Sequence, residues 1–291
     1  MTGIEEHLAG GVTTLCRAWE IRRRDGVRLG FTDHDEALSF DGLMFAADTG
    51  LGARAVERRL GMAVDNSEVV GAISDAALRE EDIILGRFDG AEVTSWLVNW
   101  QAPEMRKIIF RGTIGEIHRE DGAFRAELRS LSAALDKSIV RTVQPLCGAR
   151  LGDERCGVDL GQDSRRVAAQ IGAVRGAEVD VLTDATAGAG AFTRGLMVVG
   201  NGRCAGVTAG ISLDRRDGDG RRTLVLETAM PVEPEPGDQV TLVVGCDGTE
   251  DTCAGKFANL LNFRGFPHVP GDDWRMRVPR SGGVNDGGAL R

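Results

Sequence analysis

Along the first half of the chain, apolar and polar side chains alternate in short runs separated by Asp-Gly pairs. Leu15, Trp19 and Ile21 alternate with polar neighbours, Asp25-Gly26 follows, and Val27, Leu29 and Phe31 resume the pattern. Phe40 and Leu43 flank Asp41-Gly42, and Thr94 to Trp100 alternates again. Ile108 to His118 leads through Asp121-Gly122 to Phe124, Ala126 and Leu128. A period of two puts successive side chains on opposite faces of a strand, and Asp-Gly supports the positive φ angles of tight hairpin turns. Residues 1–140 are therefore predicted to form a β-rich domain of antiparallel hairpins. Two short helices are predicted within it, Asp75 to Glu80 behind Ser74 and Leu131 to Asp136 behind Ser130, each serine serving as a cap.

A second β unit is predicted over residues 167–244, with β-rich runs at Gly195 to Val199, Thr223 to Glu227 and Gln239 to Val244. Gly- and Asp-rich loops such as Arg215 to Gly220 separate them, and Pro231, Pro234 and Pro236 mark an exposed connection before the last strand. That length suits a small barrel or sandwich. Beyond it, Phe257, Leu260 and Leu261 stand at helical spacing in a predicted short helix from Cys253 to Leu261, which Asn262 and Gly265 can end. Pro267-His-Val-Pro270 must be extended or turned, and the segment after Trp274 loses all periodicity. The fold class expected is mainly β: multi-domain antiparallel barrels or sandwiches with short helices.

Composition narrows the picture. The 291 residues carry 40 glycines without a collagen-like period, which points to many turns, and no tyrosine. A net charge of −9 argues against specific nucleic-acid binding, which rests on clustered Lys and Arg. The start, Met-Thr-Gly-Ile-Glu-Glu-His, lacks the pattern of a secretory signal, and no apolar run has the length of a membrane span. A reducing cytoplasm is expected for folding, where paired cysteines favour metal over disulfides.

Two cysteine pairs bracket the second β unit. Cys147 and Cys156 enclose eight residues, and Cys246 and Cys253 enclose six, each in a loop containing Gly and Asp. Such loops can bend four thiolates around a common point, a donor set suited to a structural zinc or an iron–sulfur cluster. The domain plan that follows has residues 141–166 as the first cysteine-pair loop and 167–244 as an inserted β domain. Residues 245–274 carry the second pair and a short helix, closing a four-cysteine metal staple, and 275–291 form an extended tail. Zinc knuckles place two residues between paired cysteines, so the longer intervals disfavour zinc. Cys16 and Cys204 stand alone and are read as non-ligands. Asp33, His34 and Asp35 are read as a turn held by carboxylate-to-amide hydrogen bonds. His7, His118 and His268 have no identifiable nucleophile or carboxylate partner. Phosphate-binding, zinc-protease and serine-hydrolase motifs are missing, as is the Cys-x-x-x-Cys-x-x-Cys of radical enzymes. No catalytic site is expected.

The stretch from Gly245 through Cys246, Cys253 and Asn262-Phe-Arg-Gly-Phe-Pro-His268 to Gly271 resembles the C-terminal signature of a phage tail protein family of alphaproteobacterial prophages and gene transfer agents. Leu29-Gly-Phe-Thr-Asp-His-Asp35 and the Cys147–Cys156 stretch are similar to that family as well, so the resemblance touches both ends and the middle. It implies a baseplate hub protein, similar in role to the lambda-type iron–sulfur tail tip protein. It further implies a 4Fe–4S cluster on Cys147, Cys156, Cys246 and Cys253, and a homotrimeric ring built by residues 1–140. The implied location is the tail tip of a virion, between the distal tail protein and the central fibre or megatron-type protein. A zinc-stapled adaptor and a redox iron–sulfur enzyme are the alternative readings.

Overall fold

The computed structural model describes residues 3–11, 13–47, 52–53, 66–72, 79–120, 123–130, 140–183, 187–216 and 221–269. The chain forms two compact units, Met1–Ile139 and Val140–Arg291. The Ser74-capped helix (apart from its last two residues), the helix behind Ser130 and the tail after residue 274 lie outside the described residues.

The first unit opens with helix α1 (Gly3–Ala9), followed by β1 (Leu15–Arg22), β2 (Arg28–Thr32), β3 (Leu38–Phe40), β4 (Leu43–Ala46), β5 (Gly52–Ala53) and β6 (Asn66–Ala72). After α2 (Glu80–Ile84) come β7 (Glu92–Asn99), β8 (Arg106–Glu120) and β9 (Ala123–Ser130). All nine strands belong to one sheet in the order β3-β4-β2-β1-β7-β8-β9-β6-β5. The predicted hairpins are present at β1–β2, where Ile21 faces Leu29, and at β3–β4, where Asp41 and Gly42 have φ of 51° and 70°. Two positive angles in a row are the requirement of a two-residue hairpin turn.

The sheet is not a simple run of antiparallel hairpins. β2 and β4 pair in parallel through Gly30–Phe45 and Phe31–Ala46. The close approach needs glycine at position 30, where a Cβ would stand 2.6 Å from the Met44 carbonyl oxygen. With one edge of β1 occupied by β2, its other edge takes β7, pairing Cys16 with Val98 and Ile21 with Val93. Both faces of β1 are covered. Trp19 and Ile21 join one cluster with Phe31, Phe88, Val93 and Leu128, whereas Cys16 and Ala18 join another with Phe40, Phe45, Trp96 and Val98.

The second unit contains β10 (Arg166–Arg175), β11 (Glu178–Leu182), β12 (Leu196–Val199), β13 (Thr208–Arg216), β14 (Arg222–Leu226) and β15 (Gln239–Val243). They close into a barrel, β10-β11-β14-β13-β12-β15, so of the two architectures predicted for this region the barrel is observed. Arg215 and Arg216 belong to strand β13 rather than to the predicted loop, and Pro234 is buried while Pro231 and Pro236 are exposed. Ile171, Val179, Val181, Met197, Ile211, Leu224 and Leu242 are all essentially inaccessible. Alternation explains this: every second residue of a barrel strand points inward.

The barrel unit also buries an ion pair. Arg222 Nη1 donates to Asp214 Oδ2 at 2.7 Å, with both side chains at most 1 % exposed. Arg222 also donates to the Ala187 carbonyl and lies 4.8 Å from the Phe192 ring centroid, while Asp214 Oδ2 accepts from the Phe192 amide at 3.0 Å. These bonds tie the loop after β11 to β13 and β14. Removing one partner strands the other's charge in a dry interior. Arg222→Met is therefore expected to destabilise the barrel by about 3–5 kcal/mol, measured by urea unfolding, with Arg216→Met as the exposed comparison showing little change.

A four-thiol site at the barrel mouth

Barrel closure brings the two cysteine loops together. β10 and β15 pair from Arg166–Val243 to Gln170–Gln239, and the Val244 amide adds a bond of 3.0 Å to the Arg165 carbonyl. The first loop ends just before β10 and the second begins just after β15. The two ends of the barrel are thus joined by the backbone ladder itself.

Each loop is shaped by an aspartate. In the first, the Asp153 carboxylate accepts from the amides of Cys156 at 2.7 Å, Arg155 at 3.0 Å and Arg150 at 3.0 Å. The Cys156 bond and its two neighbours hold the Asp153 carboxyl below the usual range. In the second, Asp247 Oδ1 accepts from the Thr249 amide at 2.9 Å and the Thr249 hydroxyl at 2.8 Å. Burial opposes ionisation of Asp247, but the Thr249 bonds prevail and keep its pKa low.

Thr249 then caps α3 (Glu250–Gly255), accepting from the Thr252 amide at 3.2 Å, with Glu250 and Asp251 in the first turn where the helix dipole favours acids. This helix differs from the one predicted at Cys253–Leu261. It starts three residues earlier, because Thr249 supplies the cap. It is followed at Ala258 by a backbone with φ of 49°, the left-handed conformation that stops a helix. Leu260 and Leu261 fall in a short 3₁₀ turn and are 46 % and 97 % exposed, so their spacing does not mark a buried face.

Two close backbone approaches fix the loops in place. Gly245 crosses the Thr193–Gly195 segment: a Cβ there would overlap the Thr193 carbonyl oxygen and stand 2.6 Å from the Gly195 amide nitrogen. Gly265 lies against Pro145, where a Cβ would come within 2.5 Å of the carbonyl oxygen. Around it the Phe266 amide donates to the Gln144 carbonyl at 3.0 Å, and the Gly148 amide to that of Arg264 at 3.3 Å. The Cys147 amide donates to Gly248 at 2.8 Å, linking the two loops directly. The Asn262-to-His268 segment therefore docks by its backbone against the strand of chain that leads into Cys147.

The four thiols share one neighbourhood. Cys147, Cys156 and Cys246 are partly exposed and Cys253 is buried. Burial pushes the Cys253 thiol up, and charge on Cys147, Cys246 or Cys156 pushes it further. Burial likewise raises Cys246; the Gly248 amide works against this, and Asp247, Cys147 and Cys156 add to it. Mutual repulsion of this kind is what a bound cation relieves. Cys147 and Cys246 also line a cavity of about 730 Å³ together with Arg150 and Arg194. Lys256 reaches into the same region, its Nζ donating to the carbonyls of Ala191 and Gly245 at 2.8 Å each. Burial lowers its pKa, opposed by Cys246, Asp247 and Asp214. The set offers soft donors, a nearby cation and an N–H donor to sulfur at Asn259, the chemistry that suits a thiolate-bound metal. Among the described residues, no group of three or more His, Cys, Asp or Glu side chains is placed to hold a metal ion. Cys253 Sγ instead donates to the Asn259 carbonyl at 3.3 Å.

The other candidates are placed elsewhere. Cys16 lies buried in β1, with Sγ 3.7 Å from the Val98 carbonyl, and Cys204 is fully buried with Sγ 3.3 Å from that of Val232. Asp33 does bind a backbone amide, but that of Arg17 on β1 at 2.6 Å rather than one within its own turn. His34 Nδ1 accepts from the Glu36 amide at 3.0 Å and its ring stacks obliquely on Trp100. His7 Nε2 accepts from the Thr14 amide at 3.0 Å, His118 lies on β8, and His268 sits in an exposed turn. The sequence reading missed Asn259, Lys256 and the aspartate-held loops; the Asp-x-Thr spacing before Glu250 was the available signal for the cap.

A nine-stranded sheet unit and a six-stranded barrel unit, the barrel flanked by two cysteine loops, define a mainly β protein. The chain belongs to the family described as "Baseplate hub protein, N-terminal attachment domain", which matches residues 1–159. Residues 190–273 match a second family, "Phage conserved hypothetical protein BR0599". The first match contains Cys147 and Cys156, and the second contains Cys246 and Cys253. Among solved structures, the chain is similar to one in the "Virion of native gene transfer agent (GTA) particle", with 46 % identity, a TM-score of 0.90 and full coverage of both chains. No curated protein matches it.

The glycine crossing yields a direct prediction. Gly245→Ala is expected to destabilise the second unit by at least about 1–3 kcal/mol, as overpacking does, in chemical unfolding followed by circular dichroism. Gly255→Ala, whose added methyl would meet nothing within 4 Å, is expected to leave the midpoint unchanged or raise it.

Proposed function

We propose that this chain is a baseplate hub subunit in the tail tip of a gene-transfer-agent or phage-like virion, and that it acts as a structural component rather than as an enzyme. The observation that carries the reading is the likeness, over the whole of both chains, to a chain of a gene transfer agent virion. The first unit, which lies within the match to the attachment domain, forms the wall of a homotrimeric ring. That ring adapts the sixfold tail tube and its distal tail protein to a trimeric central fibre of the megatron type. Closed rings of identical subunits need heterologous interfaces, and permanent assemblies bury large areas in them. The barrel and the segment after Trp274 supply surfaces for the fibre; Arg275, Arg277, Arg280 and Arg291 suit an acidic groove.

In this reading Cys147, Cys156, Cys246 and Cys253 hold a 4Fe–4S cluster that locks the two loops at the barrel mouth. The lengths of the two loops disfavour zinc, and the resemblance to the iron–sulfur tail tip family favours the cluster. Bound, the cluster would supply cross-linking of the loops. The protein's own residues shape the loops, place Lys256 beside the thiolates and exclude solvent behind Cys253. Localisation follows as the virion tail tip, assembled in the bacterial cytoplasm.

Replacing any one of the four cysteines by serine is expected to remove most of the iron from anaerobically purified protein and lower the unfolding midpoint of the second unit, because metal binding and folding are coupled. Cys16→Ser and Cys204→Ser retain the iron. Full iron in Cys246→Ser with loss in Cys204→Ser contradicts the assignment. Cryo-EM of assembled particles tests the ring: a trimer at the tail tip is expected, and a hexamer or a single copy contradicts it.

A further inference from the structure

Asn259 is tied to both cysteine loops at once. Its side-chain Nδ2 donates to the Cys156 carbonyl at 2.6 Å and lies 3.8 Å from Cys156 Sγ. Its backbone amide donates to the Cys253 carbonyl at 3.0 Å, and its backbone oxygen accepts from Cys253 Sγ at 3.3 Å. The orientation of the amide is not arbitrary. A carbonyl only accepts, so the nitrogen end must face Cys156, and Oδ1 is left to accept from Asn262 Nδ2 at 2.8 Å. Asn262 in turn stands against Gly157, where an added Cβ would lie 3.4 Å from its Nδ2. The left-handed backbone at Ala258 is what turns residue 259 back over the helix end and into this position.

We propose that Asn259 is the positioning residue of the thiolate centre: its N–H stabilises the Cys156 thiolate, and its backbone couples that loop to Cys253. The proposal rests on the four-cysteine reading. A thiolate that accepts an N–H bond carries its charge more cheaply, so the site binds metal more tightly and a bound cluster is easier to reduce. The same residue ties the two loops together, its side-chain amide bonded to the Cys156 carbonyl and its backbone amide to the Cys253 carbonyl. Nearby, the Lys256 ammonium is held by the carbonyls of Ala191 and Gly245.

The test uses the full-length protein, stripped of metal and reduced, with Co²⁺ as the probe because its thiolate charge-transfer absorption reports ligand sulfur directly. Asn259→Asp keeps the shape and the acceptor for Asn262 but removes both N–H donors. It is expected to weaken Co²⁺ binding by about 10–100-fold, the usual cost of losing a partner of a metal ligand, and to shift the charge-transfer band. In iron-loaded protein it is expected to lower the midpoint potential. Asn259→Gln restores part of both. Unchanged affinity and an unchanged band in Asn259→Asp overturn the proposal. So does an equal loss of unfolding midpoint with and without Co²⁺, which marks a purely structural role. If the unmodified protein gives no thiolate–cobalt band, or Cys147→Ser does not alter it, the four-cysteine reading itself fails and this inference falls with it.

Discussion

The pairing of β10 with β15 is the constraint on which the rest of the second unit depends. A six-stranded barrel has no free edges, so its first and last strands must meet, and here they meet over five residue pairs. The chain leading into β10 carries one cysteine pair, and the chain leaving β15 carries the other. Closing the barrel thus brings together two loops about a hundred residues apart in sequence. What remains for the local sequence is fine placement: Asp153 and Asp247 shape the loops, Gly245 and Gly265 permit backbone contact, and Thr249 starts the helix that carries Cys253.

The interior behind that mouth is partly polar. The Arg222–Asp214 pair is fully buried, and among the described residues Asp214 Oδ1 has no hydrogen-bond partner. Near it, burial lowers the pKa of Lys256, and the charges of Cys246, Asp247 and Asp214 oppose that shift.

Much of this was legible in the sequence, for identifiable reasons. Period-two patterning and Asp-Gly turns located β1, β2, β3, β4 and the β8–β9 arm, because those hairpins are local. The cysteine pairs do flank the barrel, whose first and last strands pair, so the two loops leave from adjacent barrel ends. What sequence pattern could not supply was long-range pairing: the parallel β2–β4 contact and the β1–β7 seam join strands whose partners are set by which edge is already taken. The helix at Cys253 was misplaced because apolar spacing at Phe257, Leu260 and Leu261 outweighed the capping signal at Thr249. Asn259 was hidden for a different reason. Its role depends on a left-handed alanine, a conformation that sequence rarely advertises outside glycine and asparagine.

Whether one metal centre unites the two cysteine loops, as proposed, is decided by chemical analysis of the anaerobically purified full-length protein, measuring iron, acid-labile sulfide and zinc in one sample. Iron and sulfide are expected in equal amounts, with the visible absorption of a cluster and little zinc. Zinc without sulfide would contradict the cluster, and protein without bound metal that stays folded with four alkylatable thiols would contradict the centre altogether.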